Sequence, residues 1–272
     1  MPTLRALGFC GADDSVDPNL LAIYSRMYPV IEFGVLFRPD KAGTPRYASD
    51  AWVQRLVKVR ASCDGFLQLA AHLCGSRVNE VLTGDDAFLV QLSQWGFRRV
   101  QINATQVNGV DTSRLAQSVP DMLSSIVKHP ELEFILQKNE ETQPLWQGLL
   151  HCAEPSSGGV DRLPSNVSML VDESKGTGML ASSWPRPPTE YRIGYAGGIG
   201  PSNAAKVLDD IVKVGSDATT TNGEETSFWI DMESSLRSIK NDKDVFDLDK
   251  CYEVVQATCA AGLMQHPEFL KE

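Results

Sequence analysis

The sequence predicts an α/β protein, a single-domain (β/α)8 TIM barrel that spans residues 1–272. Short apolar runs alternate with segments of helical spacing eight times along the chain. The runs are continuously apolar, as is typical of parallel strands that are covered on both faces. Eight alternations favour a closed barrel over an open doubly wound sheet. A chain of 272 residues, 42% of them hydrophobic, can form one core of that size.

The predicted helices and strands follow one another from the first residues onward. The first helix begins at Pro18 behind Asp17, a pair that is typical of a helix start. Pro120 interrupts or restarts the helix of residues 113–128, because proline has no backbone N–H. Further helices are predicted at residues 49–60, 144–152 and 245–264, and a helical region after the third strand is predicted to end near residues 95–96. Strands are predicted at residues 4–9, 30–37, 65–72, 99–103 and 132–137, and in the runs that begin at Ser168, Ile193 and Phe228.

Two further expectations concern packing. Residues 215–226 are rich in Ser, Thr, Asp, Asn, Gly and Glu, which predicts a mobile surface insertion that is dispensable for folding.

The apolar residues of the strands, or their immediate neighbours, are expected to fill the barrel interior: Leu7, Ile31, Val35, Leu67, Ile102, Ile135, Leu170, Ile193 and Ile230.

The net charge of −10 argues against a nucleic-acid partner or an anionic membrane, but it does not exclude a small phosphorylated ligand. Six cysteines are scattered without a C-x-x-C pair, and no apolar leader precedes Leu4. These features predict reduced thiols in the cytoplasm. Composition does not indicate an oligomeric state.

The ends of the predicted strands carry chemically active side chains. Cys10 follows the first strand, Asp172 ends the sixth, and Arg46 lies in the loop after the second. Because the carboxyl ends of barrel strands meet at one mouth, a thiol and a carboxylate there form a candidate acid/base pair beside an arginine. Each residue also has an ordinary explanation: cysteine is commonly buried, an aspartate caps loops, and an arginine is commonly a solvated charge. His72, at the end of the third strand, is by the same reasoning more often a core residue than a base.

The seventh strand leads into a glycine-rich turn that suits a phosphate. Gly197 and Gly198 allow a ligand close to the backbone, and Pro201 fits the first residue of a helix with Gly200 as its cap. The N–H groups and dipole at such a helix start attract anions.

Five motifs keep a fixed order along most of the chain: Phe9-Cys10-Gly11, Pro45-Arg46-Tyr47, Leu170-Val171-Asp172 with Gly176-Thr177-Gly178, Ala196-Gly197-Gly198, and Ile230-Asp231-Met232-Glu233-Ser234. In this order the chain resembles the phosphoribosylanthranilate isomerase family. Members of that family are (β/α)8 barrels that open an aminated ribose phosphate by an Amadori rearrangement in tryptophan biosynthesis.

The resemblance implies a role for each matched residue. Cys10 would be the general base that takes a proton from the sugar carbon next to the imine, and Asp172 the general acid that protonates the ring oxygen. Arg46 would bind the substrate carboxylate. The remaining substrate-binding residues would be Asn103, Gly176 and Gly178, and the phosphate would bind at Gly197, Gly198, Ser234 and Ser235. The acid/base chemistry that the resemblance implies needs no metal and no cofactor.

The sequence departs from the family pattern at four places. Asn103 stands where the family commonly has histidine, Lys175 replaces a glycine, and Glu233 and Ser235 replace a serine and a glycine near the phosphate. Two alternatives therefore stay open beside the isomerase. One is a related barrel with the same acid/base pair and another substrate, and the other is a non-catalytic descendant that binds a ligand or a protein.

Overall fold

The computed structural model describes residues 1–152, 163–172, 174, 178–216 and 226–267. Eight parallel strands form a closed barrel in sequential order, and the first strand pairs with the eighth. The predicted fold class is therefore confirmed. The strands are β1 (Thr3–Cys10), β2 (Ile31–Phe37), β3 (Gln68–Leu73), β4 (Arg99–Ile102), β5 (Glu133–Lys138), β6 (Val167–Val171), β7 (Arg192–Tyr195) and β8 (Ser227–Met232).

Helices cover the outside of the barrel, and several begin where the sequence indicates. Asp17 accepts a hydrogen bond from the Asn19 N–H ahead of Pro18, and Ser49 accepts one from the Trp52 N–H. Pro120 is the second residue of a helix, which explains why the region from residue 113 restarts there. The helices are α1 (Pro18–Met27), α2 (Asp50–Ala61), α3 (Ser76–Leu82), α4 (Ala87–Gln94), α5 (Val119–Lys128), α6 (Gln143–Cys152), α7 (Ala204–Ser216) and α8 (Leu248–Ala260).

The alternation of strands and helices is less regular than predicted. Two helices, α3 and α4, follow β3, and the described part of the connection between β6 and β7 contains none. The last helix begins at Leu248, not at residue 245, because residues 237–246 form a hairpin of β9 (Arg237–Lys240) and β10 (Lys243–Phe246). Asn241 and Asp242 occupy its turn with φ of 52° and 59°, the left-handed region that such two-residue turns require.

The predicted interior residues lie mostly on the outer face of the barrel. Leu7, Ile31, Val35, Leu67, Ile102, Ile193 and Ile230 belong to a large cluster that includes helix residues, so they fill the layer between strands and helices. A separate cluster draws on four strands and no helix, which places it inside the barrel: Ala6, Ile135, Leu170 and Trp229. Of these four, Ile135 and Leu170 are among the residues named in the prediction, and Ala6 and Trp229 are the immediate neighbours of Leu7 and Ile230, which the prediction also allows. Successive strand residues face opposite sides, so an error of one position exchanges the two faces.

Buried polar side chains fill the rest of the interior. They alternate with the outward apolar residues on β4 and β5, where Arg99, Gln101, Glu133 and Gln137 are all less than 9% exposed. The barrel therefore has an apolar middle with polar groups towards both ends.

Two further predictions concern the surface. Gly215 and Ser216 of the predicted insertion belong to α7, Thr226 directly precedes β8, and residues 217–225 lie outside the described residues. Among the residues that the structure describes, no helix has the length and apolar character needed to cross a membrane.

Candidate active site

A cavity of about 550 Å³ opens at the carboxyl ends of the barrel strands. All nine described residues of the predicted site line it, and the tenth, Gly176, lies outside the described residues. The nine come from six different strands or the loops that follow them. They are Cys10, Arg46, Asn103, Asp172, Gly178, Gly197, Gly198, Ser234 and Ser235. Placement in one cavity does not assign a role to each residue, so the individual roles stay predictions.

The floor of the cavity is a buried group of three side chains, Cys10, His72 and Asp231. The Cys10 Sγ lies 3.8 Å from the His72 Nε2, and the ligand-type atoms of all three residues are within 4.8 Å of one another. Two glycines make this convergence possible. A Cβ on Gly34 would lie 2.8 Å from the His72 Nε2, and a Cβ on Gly8 would lie 1.8 Å from the Asp231 Oδ1. Any larger residue at either position would displace the group.

Burial sets the protonation of this floor. It raises the pKa of the Cys10 thiol well above the usual value, and the nearby Asp231 and Glu233 carboxylates raise it further. Burial lowers the pKa of His72 to about 3, so the imidazole is neutral. Burial also raises the pKa of Asp231 to about 7. The floor therefore holds a protonated thiol beside a neutral imidazole and the Asp231 carboxyl group.

Asp172 occupies a different part of the cavity from Cys10. Its Oδ2 accepts a hydrogen bond of 3.3 Å from the Gln137 side chain, and its Oδ1 accepts one of 2.5 Å from the Ser174 hydroxyl. Among the described residues no hydrogen bond joins Asp172 to Cys10. Gln137 and Gln101 both line the cavity, and within the described chain the carbonyl oxygen of each side chain is buried without a partner.

A rim of basic side chains surrounds the cavity: Arg38, Lys41 and Arg46. Arg46 has a φ of 78°, unusual for a residue with a side chain, and its backbone N–H donates to the buried Asp13 carboxylate at 2.6 Å. Its guanidinium donates to Glu233 at 3.3 Å and to the Ser234 hydroxyl at 3.0 Å. The mouth thus carries three cations, of which Arg46 is paired with Glu233 and Arg38 with Asp40.

The glycine turn after β7 differs in detail from its prediction. Gly197 and Gly198 have φ of 96° and 66°, and a Cβ on Gly198 would lie 2.5 Å from the Leu180 backbone nitrogen, so both positions need glycine. However, α7 begins at Ala204, and Pro201 lies in the preceding turn. The Gly200 N–H donates to the Asn203 side chain at 2.8 Å, so it is not free for a phosphate.

Two residues of the site were not predicted as such. The sequence predicts His72 as a core residue; it is buried, but it also contacts Cys10. Asp231 enters the sequence argument only as part of a motif, although it completes the floor. The sequence could have indicated both residues by their place in the predicted strands, since each lies near the carboxyl end of a strand, where the side chains of a barrel site are found.

Together these features define a (β/α)8 barrel with titratable side chains gathered at the end where such barrels carry their chemistry. No protein-family model matches the chain, and no curated protein matches its sequence. Solved structures with a similar fold include a GH18 chitinase from Pseudoalteromonas aurantia, with 11% identity and a TM-score of 0.47 over 93% of this chain and 99% of that one.

Two other solved structures are similar at the same low level. A dihydrodipicolinate synthase from Agrobacterium tumefaciens has 13% identity and a TM-score of 0.44, over 84% of this chain and 70% of that one. A family 18 chitinase from Crocus vernus has 8% identity and a TM-score of 0.37, over 97% of this chain and 89% of that one. Similarities this distant say nothing about the substrate of this chain.

Proposed function

We propose that this chain is an acid/base isomerase of the phosphoribosylanthranilate isomerase type, which converts an aminated ribose phosphate from the aldose to the ketose form. The observation that carries the proposal is the shared cavity. Nine residues chosen from sequence motifs line one opening, with a thiol and a carboxylate inside it and an arginine at its rim. Strand-end residues meet at one mouth in any such barrel, so the support comes from the residue types that are found there together.

The reaction needs one proton donor and one proton acceptor. Asp172 gives a proton to the ring oxygen, the bond between that oxygen and the anomeric carbon breaks, and the nitrogen lone pair forms the imine. Cys10 then takes the proton from the neighbouring carbon, and the resulting enol becomes the ketone. The Cys10 thiol must first lose its own proton, and the Asp231 carboxylate, with a pKa of about 7, is a stronger base for it than His72, with a pKa of about 3; the ligand-type atoms of all three residues lie within 4.8 Å of one another. The positive charge of the protonated imine favours the thiolate, since an opposite charge nearby lowers the pKa of an acid.

Arg46 is the residue we assign to the substrate carboxylate. A guanidinium binds a carboxylate through two parallel hydrogen bonds, and in the substrate-free chain Arg46 already donates to the Glu233 carboxylate. The substrate would replace Glu233 as its partner. The phosphate would bind near Gly197 and Gly198, a position that the cationic rim makes favourable.

Glu233 favours a second candidate substrate class. Its carboxylate pairs with Arg46 and would repel a phosphate bound at the neighbouring Ser234, to which Arg46 also donates. A substrate with the same aminated sugar but without a phosphate would avoid that repulsion, while the proton transfers from Asp172 and to Cys10 would stay the same.

The test is turnover of phosphoribosylanthranilate by the purified chain, together with rescue of a tryptophan auxotroph that lacks this isomerase. We expect Cys10→Ser and Asp172→Asn each to lower kcat by about 10²- to 10⁴-fold, the usual contribution of a positioned acid or base. Cys251→Ser, which changes a buried thiol on α8, is the matched control and should keep full activity. A wild-type chain that does not turn over the compound would exclude this substrate. Activity retained in both Cys10→Ser and Asp172→Asn would exclude the mechanism.

A further inference from the structure

The floor of the cavity has the composition of a metal site. Cys10 on β1, His72 on β3 and the β8 residue Asp231 offer one sulfur, one imidazole nitrogen and one carboxylate oxygen, and all three side chains are at least 94% buried. The three ligand atoms lie within 4.8 Å of one another, and the sulfur and nitrogen are 3.8 Å apart. With zinc bond lengths of about 2.3 Å to sulfur and 2.0 Å to nitrogen, a tetrahedral ion needs these two atoms about 3.5 Å apart.

The backbone around the three side chains leaves room for them to converge. A Cβ at Gly34 would lie 2.8 Å from the His72 Nε2 and 3.0 Å from the Cys10 Sγ, between the two ligand atoms. A Cβ at Gly8 would lie 1.8 Å from the Asp231 Oδ1. Two glycines at inward positions of neighbouring strands weaken a barrel by removing packing, so the space that they leave is a feature of this site.

We propose that Cys10, His72 and Asp231 bind one thiophilic divalent cation of the Zn²⁺ type, with a fourth coordination position open to the cavity. A thiolate and a carboxylate together balance two positive charges, and a thiolate ligand selects zinc-like ions over Mg²⁺ or Ca²⁺. Three protein ligands with one open position are the arrangement of zinc sites that bind water or substrate.

Neighbouring groups support the ligands and the open position. The Trp229 indole N–H donates to the Asp231 Oδ2 at 3.3 Å, so one carboxylate oxygen is oriented from behind, as is usual around metal ligands. The unpartnered side-chain oxygens of Gln101 and Gln137 line the same cavity and can accept hydrogen bonds from a metal-bound water. Their amide nitrogens are engaged with Asn103 and Asp172, which leaves the oxygens as the free ends.

This inference does not depend on the proposed isomerase activity. A metal uses the sulfur lone pair with which Cys10 would take a proton, so the metal-bound chain and the acid/base chain are mutually exclusive states. If both proposals hold, Zn²⁺ inhibits turnover, and removal of the metal by a chelator restores it. If the chain binds Zn²⁺ but does not turn over the sugar phosphate, the metal site is supported and the isomerase is excluded. If it turns over the sugar phosphate but does not bind Zn²⁺, the isomerase is supported and the metal site is excluded.

The experiment titrates Co²⁺ and then Zn²⁺ into the untagged, metal-free full chain. Cys152 is exposed and Cys259 is half-buried, so both are replaced by serine in the parent protein to remove competing thiols. We expect one equivalent of Co²⁺ to produce thiolate-to-cobalt absorption and the visible bands of a tetrahedral ion, and Zn²⁺ to displace it and raise Tm.

Three variants in this parent decide the outcome. Cys10→Ser should abolish the thiolate absorption, and Asp231→Asn, which keeps the side-chain shape, should weaken Zn²⁺ binding by more than the 10- to 100-fold that changes beyond the ligands cost. Cys74→Ser, at a buried thiol outside the group of three, should bind like the parent. Absence of the thiolate band in the parent, or its persistence in Cys10→Ser, would overturn the proposal. Far-UV circular dichroism confirms that each variant is folded before it is titrated.

Discussion

The two ends of the barrel interior are equally buried but differ in how their charges are matched. At the amino ends of the strands, Glu133 meets the arginines Arg5 at 2.9 Å, Arg99 at 3.5 Å and Arg192 at 3.3 Å. At the carboxyl ends, Asp231 has the Trp229 indole as its hydrogen-bond donor. Between the two ends lies the small apolar cluster of Ala6, Ile135, Leu170 and Trp229.

The pKa values of the buried acids follow the number of cations that each acid meets. Burial alone would raise the pKa of Glu133, but the hydrogen bonds and charges of Arg5 and Arg99 outweigh it and lower the pKa to about 2. Glu32 has one close arginine, Arg99 at 2.6 Å, and burial still keeps its pKa raised. Asp231, without an ion pair, reaches about 7. Buried charge is therefore neutralised around Glu133 at one end. At the other end Asp13 is paired with Arg237 at 2.8 Å, while among the described residues no ion pair reaches Asp231.

This difference separates structure from function within one barrel. A network of ion pairs holds strands together, whereas a buried acid such as Asp231 beside a thiol in an open cavity costs stability and is expected where chemistry or binding occurs. The position agrees, because barrels carry their sites at the carboxyl ends of the strands.

The largest expected effect comes from breaking the paired end. Arg99 is 6% exposed, pairs with Glu32 and Glu133, and lies 4.3 Å from the centre of the Trp229 ring. Arg99→Met leaves Glu32 buried without a cation and should lower the free energy of unfolding by about 3–5 kcal/mol, as measured by urea denaturation. Arg98→Met changes the exposed neighbour and should cost less than about 0.5 kcal/mol. Equal losses in the two variants would show that the network contributes nothing specific.

The unmatched end should respond to pH in the opposite direction from a salt bridge. Asp231 holds its proton up to about pH 7 when folded but loses it near pH 4 when unfolded. Between these values the unfolded chain binds fewer protons, so stability falls as pH rises. Asp231→Asn removes this dependence. The free energy of unfolding of the variant, relative to that of the wild type, should therefore rise by about 3 kcal/mol from pH 5 to pH 8. The wild type loses about 1.4 kcal/mol for each of the two pH units between pH 5 and the folded pKa of about 7.

The matched control for this pH series is Asp242→Asn, at an exposed turn of the β9–β10 hairpin. Its stability should differ from that of the wild type by a constant amount at pH 5, 6, 7 and 8. A constant difference in Asp231→Asn as well would mean that Asp231 ionises normally and that the two ends of the barrel do not differ in charge matching.

Sequence was sufficient for the fold because parallel strands covered on both faces read as apolar runs. It was misleading for the interior, since a run such as Val30 to Phe37 does not show which face points inward. The residues of β4 and the residue after it show which face points inward. There the polar Arg99, Gln101 and Asn103 alternate with the apolar Val100 and Ile102. The usual rule places apolar residues inward, and here the polar ones face the barrel axis while the apolar ones meet the helices.

The candidate site was predictable as a set of positions but not as a set of contacts. Cys10 and Asp172 could be found because each ends a strand. The contact between Cys10 and His72 spans 62 residues, and Asp231 joins them from the last strand, so no local spacing reveals the group. The left-handed Arg46, held by Asp13, likewise depends on a contact between separate loops.

The smallest expected effect concerns the rim of the cavity, where Arg46 forms an ion pair with Glu233. Arg46 and Glu233 are 3.3 Å apart with side chains 37% and 35% exposed, so the pair contributes at most about 1 kcal/mol to stability. Glu233→Gln should therefore change the free energy of unfolding by less than about 1 kcal/mol, yet it frees Arg46 for an anionic ligand. Released from a pair of that strength, Arg46 should bind anthranilate up to about fivefold more tightly by isothermal titration calorimetry. Glu253→Gln alters net charge equally at an exposed position of α8 and should leave the affinity unchanged. Equal tightening in both variants would attribute the effect to overall charge, because Glu233 contacts Arg46 and Glu253 does not.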